Sequence, residues 1–464
     1  MTQAKKIRDF TEGPILKNII KFAIPLMITG IMQLLFNTAD TIIVGRFGGD
    51  TPEACESALA AVGSCGSLIN LLTILFSNIS LGAGVCTAQD IGAKKYDEIG
   101  KTVHTSVLFC MISSVFVTFI GFFFARPLLT LMGTDPAVLD QAVPYMTAYF
   151  CGIPASMLYN YCASILRSSG ETMRPMKYLF AGGIVNVVLN LIMVLVFRLG
   201  ALGVGIATAA SFWISCILVL IHMVRATDSP YHLDFRKLKI HGQKLKKILQ
   251  IGIPSGIQGT IFSVSHVLIQ SSVNSLGTAA VAGNAATANL DGYVSQPIVA
   301  FYQAAVTFVG QHKGAQKYKR MKKCILWCSI CASVGSAILG WAVVLLGPTL
   351  LKFYIPENPA ALEAGLIRMY SFTTVYFLCG LMEVGSGAVR GLGRSTTSMV
   401  TSLLGSVVFR VIWILWVFPI APSISLLFVS YPISWILTST AHYIVIFVCI
   451  KRDIKNDETK KLLQ

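Results

Sequence analysis

Residues 15–45 read ILKNIIKFAIPLMITGIMQLLFNTADTIIVG. After Lys21 this stretch is almost wholly apolar until it reaches Asn37 and Asp40. Such a run predicts a membrane-spanning helix, because about 20 apolar residues are needed to cross the hydrocarbon core. A carboxylic acid inside the run is costly to insert, so Asp40 is a functional candidate from the outset.

Eleven further apolar segments predict that the chain crosses the membrane repeatedly. They lie at 57–82, 100–124, 142–166, 176–198, 202–224, 247–275, 281–309, 322–346, 362–389, 397–418 and 426–450. These runs are too uniformly apolar for barrel strands, so helices remain as the structure that satisfies the backbone in lipid. The 464 residues are 54% hydrophobic and 12% charged, whereas soluble domains are about 25% charged. This composition excludes a soluble enzyme, a disordered or fibrous chain and a secreted disulfide scaffold.

The basic residues predict the topology. Of the 37 Lys and Arg residues, 31 fall on one side of the twelve predicted spans and the remaining six fall on the other side. The positive-inside rule then places both termini in the cytoplasm of a multi-pass protein in the cytoplasmic membrane. The net charge of +16 follows from this topology and needs no nucleic-acid partner.

The two halves of the chain resemble one another. Ile24-Pro25 matches Ile253-Pro254 at an offset of 229 residues, and the stretch 89–96 matches 311–318 at an offset of 222. We therefore expect an all-α membrane protein of twelve transmembrane helices in two six-helix lobes, related by a pseudo-two-fold axis along the membrane normal. The predicted division is an N-terminal lobe at 1–225, a basic cytoplasmic linker at 226–247 and a C-terminal lobe with a short tail at 248–464.

Polar side chains line one face of the first span. Gln33, Asn37 and Asp40 follow at i, i+4 and i+7, which places them on the same side of a helix. The sequence places only Asp40 and Glu383, of its 21 acidic residues, well inside apolar runs. We predict that Asp40 carries a cation or a proton, and that Gln33 and Asn37 line a substrate cavity.

Further oxygen ligands lie on the fifth and sixth spans. Asn186 and Asn190 share a helix face, and Thr208 lies on the next span. With Asp40 these groups could hold a sodium ion or a shared proton. Ordinary hydrogen bonding between membrane helices explains them equally well.

The second half offers a different set of ionisable groups. At the 229-residue offset His266 replaces Asn37 and Ile269 replaces Asp40. Arg410 lies near the depth of Asn186, and Glu383 on the tenth span is its only obvious partner. We assign Glu383 to cation coupling, and His266 and Arg410 to the substrate cavity. A structural ion pair and a hydrogen-bonded core imidazole are the alternatives.

The sequence gives no sign of catalysis. It lacks a Walker A loop, HExxH and GxSxG. We predict that the protein is not an enzyme and needs no cofactor beyond a coupling ion, H⁺ or Na⁺.

Three motifs carry a family resemblance. Residues 37–48, NTADTIIVGRFG, resemble the first-helix signature of the multidrug and toxic compound extrusion (MATE) transporters, and the stretches 303–311 and 389–393 resemble later motifs of that family. The likeness covers almost the entire chain. It implies a two-lobed antiporter that exports organic cations and other drugs in exchange for protons or sodium, and it implies that Asp40 is the coupling carboxylate.

The resemblance also implies that Asn186, Asn190 and Thr208 match the cation site of the N-terminal lobe. Prokaryotic members often carry a second Asp where this chain has Asn190, so the ion preference stays open. Some sodium-coupled members carry an acidic cluster in the C-terminal lobe, which this chain does not match, because Phe262 and Cys379 stand at those positions. Glu383, elsewhere on the tenth span, is then the candidate substitute. We expect a monomer that exports small amphipathic, often cationic molecules; a flippase for a lipid-linked saccharide is the alternative.

Overall fold

The computed structural model describes residues 7–355 and 358–462, and it is helical almost throughout. The helices are α1 (Ile15–Phe47), α2 (Pro52–Gly92), α3 (Tyr96–Phe123), α4 (Ala125–Leu131), α5 (Pro136–Ser168), α6 (Met173–Leu191), α7 (Gly200–Arg225), α8 (Gly242–Asn274), α9 (Thr278–Val294), α10 (Gln296–Gly314), α11 (Tyr318–Leu345), α12 (Gly347–Tyr354), α13 (Pro359–Phe372), α14 (Phe377–Gly391), α15 (Ser395–Ser402), α16 (Phe409–Ile412) and α17 (Ile424–Leu462).

Some of the twelve predicted spans are built from more than one helix. The span predicted at 281–309 is α9 and α10, which meet at Ser295, and the tenth span is α13 and α14, which are bent by 49° where they meet. The eleventh span runs from α15 through α16, with π-helical turns at Leu403–Val408 and Trp413–Val417. With these composites the predicted fold class, an all-α membrane protein with twelve helices in two lobes, is confirmed.

Composition explains why only some of these helices look like membrane spans by hydropathy. Within the described residues, eight helices are long and apolar enough to cross a membrane, or nine if α13 and α14 count as one bent span. The helices that fall outside this set, α5, α8 and the pair α9–α10, carry more polar residues. Polar residues in a membrane helix pack toward protein or line a cavity.

Three helices begin with the same local signal. Thr51, Asp135 and Asn358 each accept a hydrogen bond from a backbone N–H in the first turn, at 3.2, 2.8 and 3.0 Å. In each case a proline follows directly at the first helical position. Such caps satisfy N–H groups that have no partner within the helix, and proline is preset for that position.

The chain divides into two compact units. Among the described residues, the first contains residues 7–9 and Ile28–Gly256, and the second contains Phe10–Met27 and the described residues from Ile257 onward. Both α1 and α8 therefore change unit along their length, α1 after Met27 and α8 after Gly256. Each change comes less than one helical turn after a proline, Pro25 or Pro254. The predicted division into lobes at 225 and 248 stays a prediction.

The first unit is organised around α5. Phe150, Met157 and Tyr161 on this helix are fully buried. Gly121 on α3 leaves room for the ring of Phe150, which a Cβ at that position would overlap. In the second unit the rings of Phe10 and Phe308 stack at 4.3 Å, so the segment before α1 is packed into this unit's core.

The predicted linker is docked on the first unit. Tyr231 and Leu233 are fully buried, and the Tyr231 hydroxyl donates a 2.8 Å hydrogen bond to Glu171. The backbone N–H of Asp234 donates to Nε2 of His104 at 3.2 Å. Because α8 begins at Gly242, the last six residues of the predicted linker, 242–247, are helical.

Candidate functional site

The predicted cation ligands of the first unit come together. Asn190 donates a hydrogen bond from Nδ2 to Oδ1 of Asp40. The same amide nitrogen lies 3.5 Å from Oδ1 of Asn186, whose own Nδ2 lies 3.4 Å from the Thr208 hydroxyl. One chain of polar groups thus joins α1, α6 and α7, with Asn190 fully buried at its centre.

Small residues on α6 make this meeting possible. Gly183 packs against the ring of Phe36, and a Cβ there would overlap the ring. Asp40 lies one turn beyond Phe36, and Asn190 two turns beyond Gly183. Since small residues let membrane helices approach closely, the contact brings the carboxylate to the amide.

A second glycine sets the distance between α6 and α7. A Cβ at Gly182 would lie 2.7 Å from the carbonyl oxygen of Ser211. Asn186 follows Gly182 by one turn, and Thr208 precedes Ser211 by about one turn on the next helix. The close approach therefore positions the amide of Asn186 beside the Thr208 hydroxyl.

Irregular backbone adjoins the cluster. A π-helical turn at Ile192–Val196 begins two residues after Asn190, and π-turns in helices often occur at functional sites. In the second unit, π-helical turns flank Arg410 on both sides. The corresponding spans of the two halves thus share this irregularity.

One polar atom in the cluster has no partner. Oδ1 of Asn190 is buried, and no hydrogen bond to it exists among the described residues. An unpaired carbonyl oxygen away from water is unfavourable. Beside an acid, it can accept a hydrogen bond from the neutral carboxyl group or coordinate a cation.

The other two residues predicted on this face of α1 are exposed. Gln33 and Asn37 are both exposed, whereas Asp40 is half-buried. The carboxylate is therefore the best protected of the three side chains.

The ion pair expected in the second unit is absent. Arg410 is buried, and its Nε donates a 3.0 Å hydrogen bond to Ser434. Its guanidinium lies 3.9 Å from the centre of the Tyr431 ring. Glu383 is half-buried and forms no ion pair within the part of the chain that the structure describes. The pairing of Glu383 with Arg410 is wrong, because the aromatic ring and Ser434 satisfy the arginine instead.

His266 is exposed on α8. Arg410, by contrast, is only 3% exposed. His266 and Arg410, both predicted to line a substrate cavity, therefore have different surroundings. Their assignment to a substrate cavity stays a prediction.

The second unit contains a buried ion pair that the sequence pattern did not predict. Nη2 of Arg368 lies 2.8 Å from Oδ2 of Asp291, with both side chains more than nine-tenths buried. Thr373 donates a 2.8 Å hydrogen bond to the other carboxylate oxygen. Asp291 lies inside the predicted span at 281–309, so the expectation that only Asp40 and Glu383 are intramembrane acids is wrong. Polar neighbours such as Asn289 and Ser295 make this part of the span less apolar, so Asp291 does not stand out in the sequence. The signal that could have identified it is a residue of opposite charge, Arg368, inside another predicted span.

A second buried arginine is held by neutral partners. Arg390 donates from Nη2 to Oε1 of Gln258 at 2.8 Å and from Nη1 to the Tyr302 hydroxyl. The motif at 389–393 thus supplies a cation that joins α8, α10 and α14. Such contacts stabilise the packing of this unit.

Glu171 lies in the loop between α5 and α6, and its carboxyl pKa is shifted. Burial raises the pKa of Glu171, but hydrogen bonds from His222 and Tyr231 and the charge of Arg174 bring it below its ordinary value. Glu171 is therefore ionised at neutral pH and holds Tyr231 of the linker.

These features define a class of protein. A polytopic helical fold, internal repeats and ionisable groups at membrane depth are characteristic of secondary transporters. The MatE family model matches residues 25–192 and 254–416, and the chain belongs to the MatE family.

Relatives and solved structures agree with this assignment. The chain is 26% identical over 407 residues to the probable multidrug resistance protein YpnP of Bacillus subtilis, covering 87% of this chain and 89% of the relative. It is 23% identical over 406 residues to an FAD transporter of Shewanella oneidensis, covering 84% and 86%. A crystal structure of MATE in complex with MaL6 superposes with a TM-score of 0.87 at 20% identity, covering 96% of this chain and 98% of that one. At this identity the structural likeness establishes the fold.

Proposed function

We propose that this protein is a cation-coupled antiporter that exports amphipathic, often cationic compounds across the cytoplasmic membrane. The observation that carries the proposal is the contact between Asp40 and Asn190, which joins an intramembrane carboxylate to a buried polar chain. The name of the Bacillus subtilis relative, a probable multidrug resistance protein, supports the substrate class.

Asp40 is proposed to alternate between an ionised state and a protonated or sodium-bound state. In the ionised state the carboxylate accepts the hydrogen bond from Nδ2 of Asn190. In the protonated state the new O–H donates to the unpaired Oδ1 of Asn190. One amide can therefore stabilise both states after a modest rotation.

Sodium is the alternative coupling ion. Carboxylate, amide and hydroxyl oxygens of Asp40, Asn190, Asn186 and Thr208 are the hard ligands that such cations prefer. The single negative charge of Asp40 balances one monovalent ion. The unpaired oxygen of Asn190 supplies a ligand that is not otherwise used.

Coupling requires that the cation and the exported molecule stabilise different conformations. We propose that the charge state of Asp40 biases the bend of α1 near Pro25, where the helix passes from one unit to the other. A proline inside a helix removes one backbone hydrogen bond and lowers the cost of bending.

The exported molecule is proposed to contact exposed polar groups. Gln33 and Asn37 on α1 and His266 on α8 are exposed in their respective units. Arg410 would contribute only after its bond to Ser434 is released. Glu383 is proposed as a second coupling group. We also propose that both termini lie in the cytoplasm and that the protein is a monomer.

Efflux of a fluorescent organic cation from proteoliposomes tests this function. The wild-type chain is compared with Asp40→Asn and Glu383→Gln under an imposed pH gradient or an imposed sodium gradient. Asp140→Asn is the matched control, because this carboxylate is exposed and pairs with Arg126 at the surface. Efflux driven by one gradient and lost in Asp40→Asn names the ion and supports the proposal.

Other outcomes assign the function differently. Loss confined to Glu383→Gln moves coupling to the second unit. Equal efflux from Asp40→Asn and wild type contradicts the role of Asp40. No efflux under either gradient contradicts drug antiport, and flipping of a fluorescent lipid-linked saccharide becomes the assay to run.

A further inference from the structure

A cavity lies beside the docked linker of the first unit. The backbone N–H of His241 donates to the Thr105 hydroxyl at 3.0 Å, which fixes the end of the linker to α3. Between the start of α3 and the start of α8 this leaves a partly open cavity of about 400 Å³. Pockets that hold small ligands begin at about 300 Å³.

Lysines dominate the lining of this cavity. Lys101, Lys239, Lys244 and Lys247 line it, and Glu98 is the single acidic residue among the lining groups. Lys244 is buried and lies 2.6 Å from Asp90 and 3.1 Å from Glu98. Lys101 lies 2.7 Å from the other oxygen of Glu98. Of the four lysines, Lys101 and Lys244 are thus paired with these two carboxylates.

Two of the lysines keep an unbalanced charge. Within the described chain, Lys239 and Lys247 have no carboxylate within ion-pair distance, and both are exposed at the cavity. The first turn of α8, at Gly242 and Gln243, also lines the cavity. N–H groups in the first turn of a helix have no partner within that helix and favour an anion.

We propose that this cavity binds a phosphate group, the headgroup phosphate of an acidic phospholipid. Phosphate matches both the charge excess and the N–H donors. The lipid source follows from position, because Lys101 and Lys247 lie at the ends of the membrane-spanning helices α3 and α8. Basic groups at that level attract anionic lipid headgroups. The bound lipid would fasten the linker to α3.

Titration of the purified full-length protein in detergent with short-chain phosphatidylglycerol tests this site, with the thermal unfolding midpoint as readout. Short-chain phosphatidylcholine and inorganic phosphate are the comparison ligands. The double variant Lys239→Gln/Lys247→Gln removes the two unpaired charges. The matched control, Lys237→Gln/Lys246→Gln, removes two charges from the same segment at positions that do not line the cavity.

We expect phosphatidylglycerol to raise the unfolding midpoint of the wild type and the control equally. The lining variant is expected to need about thirtyfold more lipid for the same shift. An equal shift from inorganic phosphate, lost in the same variant, supports the site with free phosphate as its source. Equal responses of the two double variants, or an equal effect of phosphatidylcholine, would overturn the proposal.

Discussion

Arg368 contacts Asp291 at 2.8 Å in the interior of the second unit, and Thr373 donates to the same carboxylate. The acid lies one turn before the junction of α9 and α10 at Ser295, and Thr373 begins the turn at which α13 bends into α14. The ion pair therefore joins the α9–α10 span to the α13–α14 span, close to the point where each span is interrupted. Gly283 and Gly365 allow this approach, since a Cβ at Gly283 would lie 2.6 Å from the backbone nitrogen of Gly365.

Removal of one partner of this ion pair is expected to be more harmful than removal of both. Arg368→Met leaves Asp291 as an uncompensated buried charge, which costs about 3–5 kcal/mol. The double variant Arg368→Met/Asp291→Leu should recover much of that loss. Chemical denaturation in detergent, followed by tryptophan fluorescence, measures the free energies of unfolding. Additive single effects would contradict this reading of the pair.

Asn190→Asp is expected to shift the ion preference toward sodium. The substitution places a second carboxylate against Asp40, and the added charge attracts a cation that would otherwise be held by one acid. The concentration of sodium that gives half-maximal efflux should fall about tenfold. Asn289→Asp is the control, because that amide is exposed and donates to its own helix. An unchanged sodium dependence would separate Asn190 from the coupling site.

Thr208→Val tests the outer end of the polar chain. The change keeps the shape of the side chain but removes the hydroxyl that lies 3.4 Å from Asn186. Since hydrogen bonds between membrane helices contribute about 0.6 kcal/mol on average, the apparent affinity for the coupling cation should weaken about threefold. Thr38→Val, which removes an exposed hydroxyl bonded to its own helix, should leave the affinity unchanged. Complete loss of transport would show that Thr208 does more than hold Asn186.

Docking of the linker is expected to depend on pH through Glu171. Its pKa is lowered in the folded state in spite of burial, by His222, Tyr231 and Arg174. The stabilisation is therefore fully present above the unfolded-state pKa, about 4.3, and is lost as the pH falls through the lower folded-state value. Hydrogen exchange at 226–235, corrected for its intrinsic pH dependence, should rise in that acidic range.

Glu171→Gln should raise the exchange of the same segment at neutral pH and flatten its response to acid. Asp228→Asn is the control, because this carboxyl group is exposed in the same linker. The same acid profile in Glu171→Gln and wild type would assign the pH response to another group.

Local pattern predicted much of the candidate site. The helix periodicity of Gln33, Asn37 and Asp40 placed them on one face of the first span, and the four-residue spacing of Asn186 and Asn190 placed those two on one face of their own helix. The structure brings Asp40 and Asn190 into contact. Such arrangements can be predicted because they depend on helix geometry within one short segment.

The interaction partners of Arg410 in the second unit could not be predicted in the same way. Arg410 takes a ring and a hydroxyl from α17 in place of Glu383, and that choice depends on how the helices rotate against each other. Asp291 was overlooked because its polar neighbours resemble a loop more than a span. Its partner, Arg368 on α13, lies 77 residues further along the chain.

The passage of α1 and α8 from one unit to the other also bears on the origin of the repeat. Neither covalent half contains a whole unit, because Phe10–Met27 belong with the residues after Ile257, and residues 242–256 belong with the first unit. In a pair of half-length chains this exchange of helix segments would be a domain swap. Fusion of two such chains would make the exchange intramolecular, so each half of the present chain supplies a segment to the compact unit that the other half mainly forms.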